Sequence, residues 1–259
     1  MLQVLEKKYA EYVAGFADHS GRIPEMMELK RVHTRYVVDN ASLIAHGEGF
    51  DDKEREASLA SALLHDTGRY EQLRRFNTFK DSESVDHAVY SYDIIRKLKW
   101  MDALTDKKTE EAILNAVLYH NRREIPDGLD SLTLKCAQTV RDADKLDIFR
   151  VAEERITKTD WRKNTTAFWN LKIDAPPDRE VVECILSSKP VDYQMIKSLS
   201  DFIMIQVGWM ISGFYYSTSR RLCSERGHLA FRRKFLHELS ASRAIDEICD
   251  KAEKVLNMP

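Results

Sequence analysis

The stretch "ALLHDTGRYEQ", residues 62–72, sets the problem the rest of the chain must answer. An apolar run ends in His65 and Asp66, followed by Thr67, Gly68 and Arg69. Burying such groups without partners is costly, so a hydrophobic stripe that runs straight into them implies partners elsewhere in the sequence. Neighbouring residues on one helix point about 100° apart and cannot share a ligand. His65 and Asp66 can therefore converge only at a helix end, and Thr67-Gly68 supplies a turn there.

Around this point the pattern is helical. No proline falls between Pro24 and Pro126, glycines are few, and apolar residues recur three and four apart rather than alternating. The spacing predicts helices at about 2–17, 25–46, 53–65, 84–99, 107–121, 131–157, 179–187, 192–222 and 229–256. The expected fold is all-α. "DAPPD" (174–178) is the clearest break, because consecutive prolines cannot continue a helix. No repeat or low-complexity segment divides the chain, so a single domain over 1–259 is expected, with a motif-bearing core at about 25–157 and a helical extension at about 158–259.

Composition limits the partners. The 259 residues, 43% hydrophobic, suffice for a sizeable core. Lys+Arg 40 against Asp+Glu 42 leaves a net charge of −2, which gives no field for duplex nucleic acid and no acidic tail. Cys136, Cys184, Cys223 and Cys249 are widely spaced, show no CxxC pairing and follow no signal-like amino terminus, so a reducing, cytoplasmic setting is expected. The longest apolar run, "FIMIQVGWMISGFYY" (202–216), contains Gln206 and two glycines. It falls short of the roughly 20 residues that cross a bilayer and reads as a buried helix.

Partners for the His-Asp pair lie on other apolar faces. His33 sits in the stripe Leu29, Val32, Tyr36, Val37, Ile44. His120 closes the stripe Ile113, Ala116, Val117 in "EAILNAVLYHNRREIP". In "TLKCAQTVRDADKLDIFRVAEE" the series Ala137, Val140, Asp144, Ile148, Val151 carries an inward Asp144. Asp142, about 200° further round, is expected to face outward or to support from behind. His87 shares a face with Ser91, Ile94 and Leu98. A lone inward histidine is more often a hydrogen-bonded core residue, but several imidazoles and carboxylates converging in one core call for compensation, and a divalent cation supplies it. No thiolate takes part, which argues against a closed structural zinc site.

These residues resemble the HD-domain metal-dependent phosphohydrolases, whose signature is a histidine, an adjacent His-Asp pair and a distant aspartate. His33, His65-Asp66 and Asp144 match it in order, within "KRVHTRYV", "SALLHDTGRYEQ" and "VRDADKLDIF"; "VDHAVYSYDII" and "AVLYHNRREIP" extend the likeness over roughly residues 25–157. The resemblance implies a multi-helix bundle of the HD-domain type with a C-terminal helical extension. Members that hold a second metal add histidines between the pair and the last aspartate, positions taken here by His87 and His120. It thus implies one or two divalent ions (Mn, Fe, Mg, Co, Ni or Zn), with Asp66 bridging, His33, His65 and Asp144 on one ion and His87 and His120 on the other. It further implies hydrolysis of a small phosphate ester or anhydride, such as a nucleotide or dinucleotide, by metal-activated water. Arg69 and Lys145 are the candidate cations for the phosphoryl oxygens. Two other classes stay open: a di-iron oxygenase similar to myo-inositol oxygenase, and a ligand-binding protein with a decayed site. No membrane partner is expected, and a homo-oligomer remains compatible with the composition.

Overall fold

The computed structural model describes residues 1–102, 106–163, 171–173, 175–189, 191 and 193–258. Among them no strand forms beyond an isolated bridge between Lys172 and Ser198, so the fold is all-α as expected. The chain divides into two compact units, Met1–Asp147 and Ile148–Pro259.

The first unit contains α1 (Leu2–Ala14), α2 (Glu25–Gly47), α3 (Asp52–Leu64), α4 (Gly68–Phe76), a 3-10 turn at Asp81–Glu83, α5 (His87–Lys97), α6 (Lys107–Tyr119) and the beginning of α7 (Ser131–Lys158). Aspartates start several of these helices, because the first backbone N–H groups of a helix have no partner within it. Asp51 and Glu54 form a capping box on α3, Asp86 accepts from Ala88 and Val89 on α5, and Asp106 accepts from Thr109 on α6. Helix α3 is the central element. Every residue from Ala57 to Leu64 is buried, and the small side chains at Ala57, Ser58, Ala60, Ser61 and Ala62 let α2 and α6 pack against it. Leu5, Tyr9 and Val13 of α1 join the same core as Leu64, Ile113 and Val117. A helix buried so completely must deliver its last residues into the interior, and those are His65 and Asp66.

The second unit is built around α9 (Leu199–Ser212), which packs against α8 (Arg179–Leu186), α11 (His228–Leu239) and α12 (Arg243–Leu256), with α10 (Ser217–Glu225) against α11 and α12. Ser198 and Asp201 form a capping box that starts α9. Arg232 is buried here and satisfied by Glu153, Gln206 and the carbonyls of Phe149 and His228.

Three helix expectations need correction. The segment expected to be continuous over 192–222 is interrupted: α9 stops at Ser212, and residues 213–216 are non-helical before α10. The expected helix at 229–256 breaks at Ser240, whose extended backbone (φ −161°, ψ 143°) ends α11. A helix not anticipated, α4, follows the His-Asp pair. Residues 192 and 174 of the expected elements lie outside the described residues; Ala175 to Asp178 are non-helical, and Asp178 caps α8. The apolar run at 202–216 is largely the buried α9, and among the described residues no helix is long and apolar enough to cross a membrane.

Candidate metal centre

The chain turns at the His-Asp pair without a left-handed residue. His65 and Thr67 both keep right-handed helical angles, and the bonds Thr67 N–H to Leu64 O (3.2 Å) and Arg69 N–H to Asp66 O (3.0 Å) tighten the chain between α3 and α4. Gly68 serves close packing rather than the turn. A Cβ there would lie 2.7 Å from both the His87 carbonyl oxygen and the Ser91 nitrogen, and the Gly68 N–H donates to Ser91 Oγ at 2.8 Å. The bare glycine thus brings α5, which begins with His87, against α4.

Two of the histidines are helix C-caps whose own rings satisfy a carbonyl left over at the helix end. His65 Nδ1–H donates to Ala62 O and His120 Nδ1–H to Val117 O, each at 2.7 Å. The other two are anchored on carboxylates: His33 Nδ1–H on Asp147 Oδ2 at 2.6 Å, and His87 Nδ1–H on Asp81 Oδ2 at 2.5 Å. With all four Nδ1 atoms engaged, all four Nε2 atoms face inward, the arrangement that orients imidazoles for metal binding.

Asp66 stands among them, buried, with its two oxygens turned to different pairs. Oδ2 lies 3.7 Å from His33 Nε2 and 3.5 Å from His65 Nε2; Oδ1 lies 3.6 Å from His87 Nε2 and 3.9 Å from His120 Nε2. Asp144 Oδ1 completes the first half, 3.1 Å from His33 Nε2 and 4.0 Å from His65 Nε2. His33, His65 and Asp66 form one grouping able to hold an ion, and Asp66, His87 and His120 form another. A third, Asp81, Asp86 and His87, is partly exposed. Its members are already engaged: Asp81 with Arg69, Gln72 and His87, and Asp86 with Asn121, Arg122 and the start of α5.

The donors fit a divalent cation on two counts. His65 Nε2 is buried with no hydrogen-bond partner, an orphaned lone pair that a cation would satisfy. His87 Nε2 and His120 Nε2 approach to 2.9 Å with both Nδ1 atoms already donating, so only a cation or an extra proton can sit between two such lone pairs.

Electrostatics sort the groups. Burial pushes the Asp66 carboxyl up, but Lys30, His65, Arg69 and His87 hold it well below the usual carboxylate range. Asp144 is also held low against burial, chiefly by His33. Burial and the Lys30 ammonium work against charge on His33, yet its hydrogen bonds to the Asp144 and Asp147 carboxylates raise it to about 9. His120 is pushed down to about 3 by burial and then by His87 and His65, and burial lowers His65 as well. Anionic Asp66 and Asp144 beside neutral His65 and His120 match the protonation state that metal binding requires, whereas His33 would have to give up its proton to a cation.

The six residues expected as ligands, His33, His65, Asp66, His87, His120 and Asp144, are thus brought together in one buried cluster. Arg69 reaches its edge. Its Nη1 donates to Gln72 Oε1, Phe79 O and Asp81 Oδ1 at 2.6 to 2.8 Å, its Nη2 is 3.3 Å from His87 Nε2, and its Nε is 3.5 Å from Asp66 Oδ1. Lys145 is half-buried, held down to about 8 by burial, with Asp142, Arg141 and Asp144 as its charged neighbours. Of the two expectations for Asp142, facing outward is corrected: it is fully buried, which leaves support from behind. Phase along a helix separates faces only when one side is solvated, and α7 here is buried at Thr139, Val140, Asp142, Ala143, Leu146 and Asp147 together.

Three residues of the cluster were not anticipated. Lys30 bonds Asp66 Oδ2 at 2.7 Å, and its signal was its place one turn before His33 on α2. Asp147 lies three residues after Asp144 on the same helix, a spacing that was legible in "DADKLD". Asp81 comes from a short 3-10 turn and carried no periodic signal.

A helical unit that gathers four histidines and two aspartates around one buried carboxylate is a candidate centre for divalent cations. The HD-domain family model matches residues 31–148, a span that contains all six of these residues and Asp147. Over that stretch the chain is similar to HD domains, in keeping with the signature His33, His65-Asp66 and Asp144. No curated protein and no solved structure matches the chain.

Proposed function

We propose that this protein is a metal-dependent phosphohydrolase that cleaves a phosphate ester or anhydride of a small molecule, such as a nucleotide or dinucleotide. The observation that carries the reading is the double-faced Asp66, whose Oδ2 looks to His33 and His65 and whose Oδ1 looks to His87 and His120. Such a carboxylate suits two cations, with His33, His65 and Asp144 beside one and His87 and His120 beside the other. Bound there, divalent ions supply positive charge to phosphoryl oxygens and lower the pKa of a water.

The chain's own contributions follow from its geometry. Asp66 and Asp144 bring the negative charge that concentrates cations in a buried site. Arg69, locked by Gln72, Phe79 and Asp81, holds a guanidinium at the edge of the cluster where a phosphoryl oxygen can meet it. Lys145, next to Asp144 on α7, is the second candidate cation for the phosphoryl oxygens, with Asp142 and Asp144 as its acidic neighbours.

Metal analysis of protein purified without chelator, followed by a phosphatase screen over nucleotides and dinucleotides with Mn, Co, Ni, Mg and Fe(II), tests the reading. Phosphate release that depends on an added divalent ion supports it. The same donor set of four histidines and two aspartates also suits two irons; a coloured, redox-active di-iron protein with no phosphate release would replace hydrolysis by oxygen chemistry.

A further inference from the structure

Two cations touch Asp66, and they are held very differently. Arg69 is committed: its Nη1 serves three acceptors, and its buried Nε has no hydrogen-bond partner. Lys30 has Asp66 Oδ2 as its one hydrogen-bond acceptor among the described residues, at 2.7 Å. Both positive groups also lie against the half-buried Phe79 ring, Lys30 Nζ at 5.6 Å and Arg69 Cζ at 5.7 Å from its centroid. One ring thus collects both charges beside the carboxylate.

On the phosphohydrolase reading, we infer that Lys30 is a substrate-binding residue that exchanges the Asp66 carboxylate for a phosphoryl oxygen of the substrate. The oxygen Lys30 occupies is the one turned to His33 and His65, the oxygen that a cation in that half of the site would take. A cation on Asp66 Oδ2 cancels the attraction that keeps the ammonium there and repels it. Lys30 can leave, because its side chain is 17% exposed and its charge rides on a flexible four-carbon stem. Arg69 cannot leave without breaking three hydrogen bonds, to Gln72, Asp81 and the Phe79 carbonyl. The Phe79 ring keeps the departing ammonium near Arg69, so that a tetrahedral oxyanion meets a fixed guanidinium and a mobile ammonium together.

The test compares wild type, Lys30→Met and Lys30→Arg, each shown by its melting curve to be folded. Mn2+ is titrated alone by calorimetry, and inorganic phosphate is then titrated into the Mn-loaded proteins. Lys30→Met should bind Mn2+ at least as tightly as wild type, since a competing cation has gone. Its affinity for phosphate should fall about tenfold or more, the usual worth of a charged hydrogen bond, and Lys30→Arg should recover part of that. In turnover the loss should show mainly in KM. Weaker Mn2+ binding by Lys30→Met with unchanged phosphate affinity would make Lys30 a prop for Asp66 and overturn the inference alone. No phosphate binding by the Mn-loaded wild type would overturn the phosphohydrolase reading and take the inference with it.

Discussion

Gly68→Ala is a one-methyl change whose consequences can be worked from distances. The new Cβ would lie 2.7 Å from His87 O and from Ser91 N, and 3.0 Å from Ser91 Oγ. The two nearest atoms are backbone, so no rotamer change relieves the contact, and α4 must withdraw from α5 by roughly half an ångström or more. Overpacking of this kind costs about 1–3 kcal/mol. Stretching the Gly68 N–H to Ser91 Oγ bond, 2.8 Å long, adds about 1 kcal/mol. The better helix propensity of alanine returns about 1 kcal/mol. The net loss of about 1–3 kcal/mol corresponds to a fall in Tm of roughly 3–10 °C for a unit of this size. The displaced element also begins with His87, so its Nε2 moves off Asp66 Oδ1, now 3.6 Å away. Circular-dichroism melting and a Mn2+ titration check both effects: a lower Tm, and loss of the ion on the His87 and His120 side while the ion on His33, His65 and Asp144 stays. An unchanged Tm with two ions bound at wild-type affinity would refute the packing argument.

Replacing His87 or His120 with Ala should lower the metal-to-protein ratio from about two towards one and cut turnover sharply, measured by elemental analysis and steady-state kinetics. A wild-type ratio of one would show instead that a single ion is held. Asp144→Ala should empty the His33 and His65 half, whereas Asp142→Ala should keep the metal and lose stability through the groups it leaves unpaired; the reverse pattern in metal content would mean that the wrong carboxylate has been assigned. Burial pushes the thiol of Cys136 up to about 11 and that of Cys223 up to about 12, and it raises Cys249. At pH 8 the thiolate fraction of Cys136 and Cys223 is about a thousandth or less, so a colorimetric thiol assay on the native protein should register half-buried Cys184 first and the others only on unfolding.

Much of the site was legible because ligands that end or interrupt an apolar stripe betray themselves. His33 and His120 stood within helical periodicities, and the adjacent His65 and Asp66 demanded a helix end, which the chain provides. What escaped notice had no such pattern. Helix α4, "GRYEQLRRF", opens on a glycine and carries few apolar residues, yet it is held by burial of Tyr70, Glu71 and Gln72. Glu71 there is neutralised by Arg74 and Arg75. The outward placement of Asp142 failed for the opposite reason, since a helix covered on several sides leaves its periodicity uninformative. Asp81 reaches His87 from a loop, and partnerships of that kind are written in three dimensions only.

The way the four imidazoles are anchored has an evolutionary side. In each half of the cluster one histidine leans on a peptide carbonyl three residues back, His65 on Ala62 and His120 on Val117, while the other leans on a carboxylate, His33 on Asp147 and His87 on Asp81. A main-chain carbonyl cannot be mutated away, so one donor per half is inherited with the helix itself. A carboxylate can be exchanged for an amide or a hydroxyl by single codon changes, which alters how strongly its imidazole donates without touching a ligand. Each half therefore pairs a donor anchored on the main chain with one anchored on a replaceable side chain, so on the two-cation reading selection could retune each position separately, through Asp147 for one and Asp81 for the other, leaving the bundle as it stands.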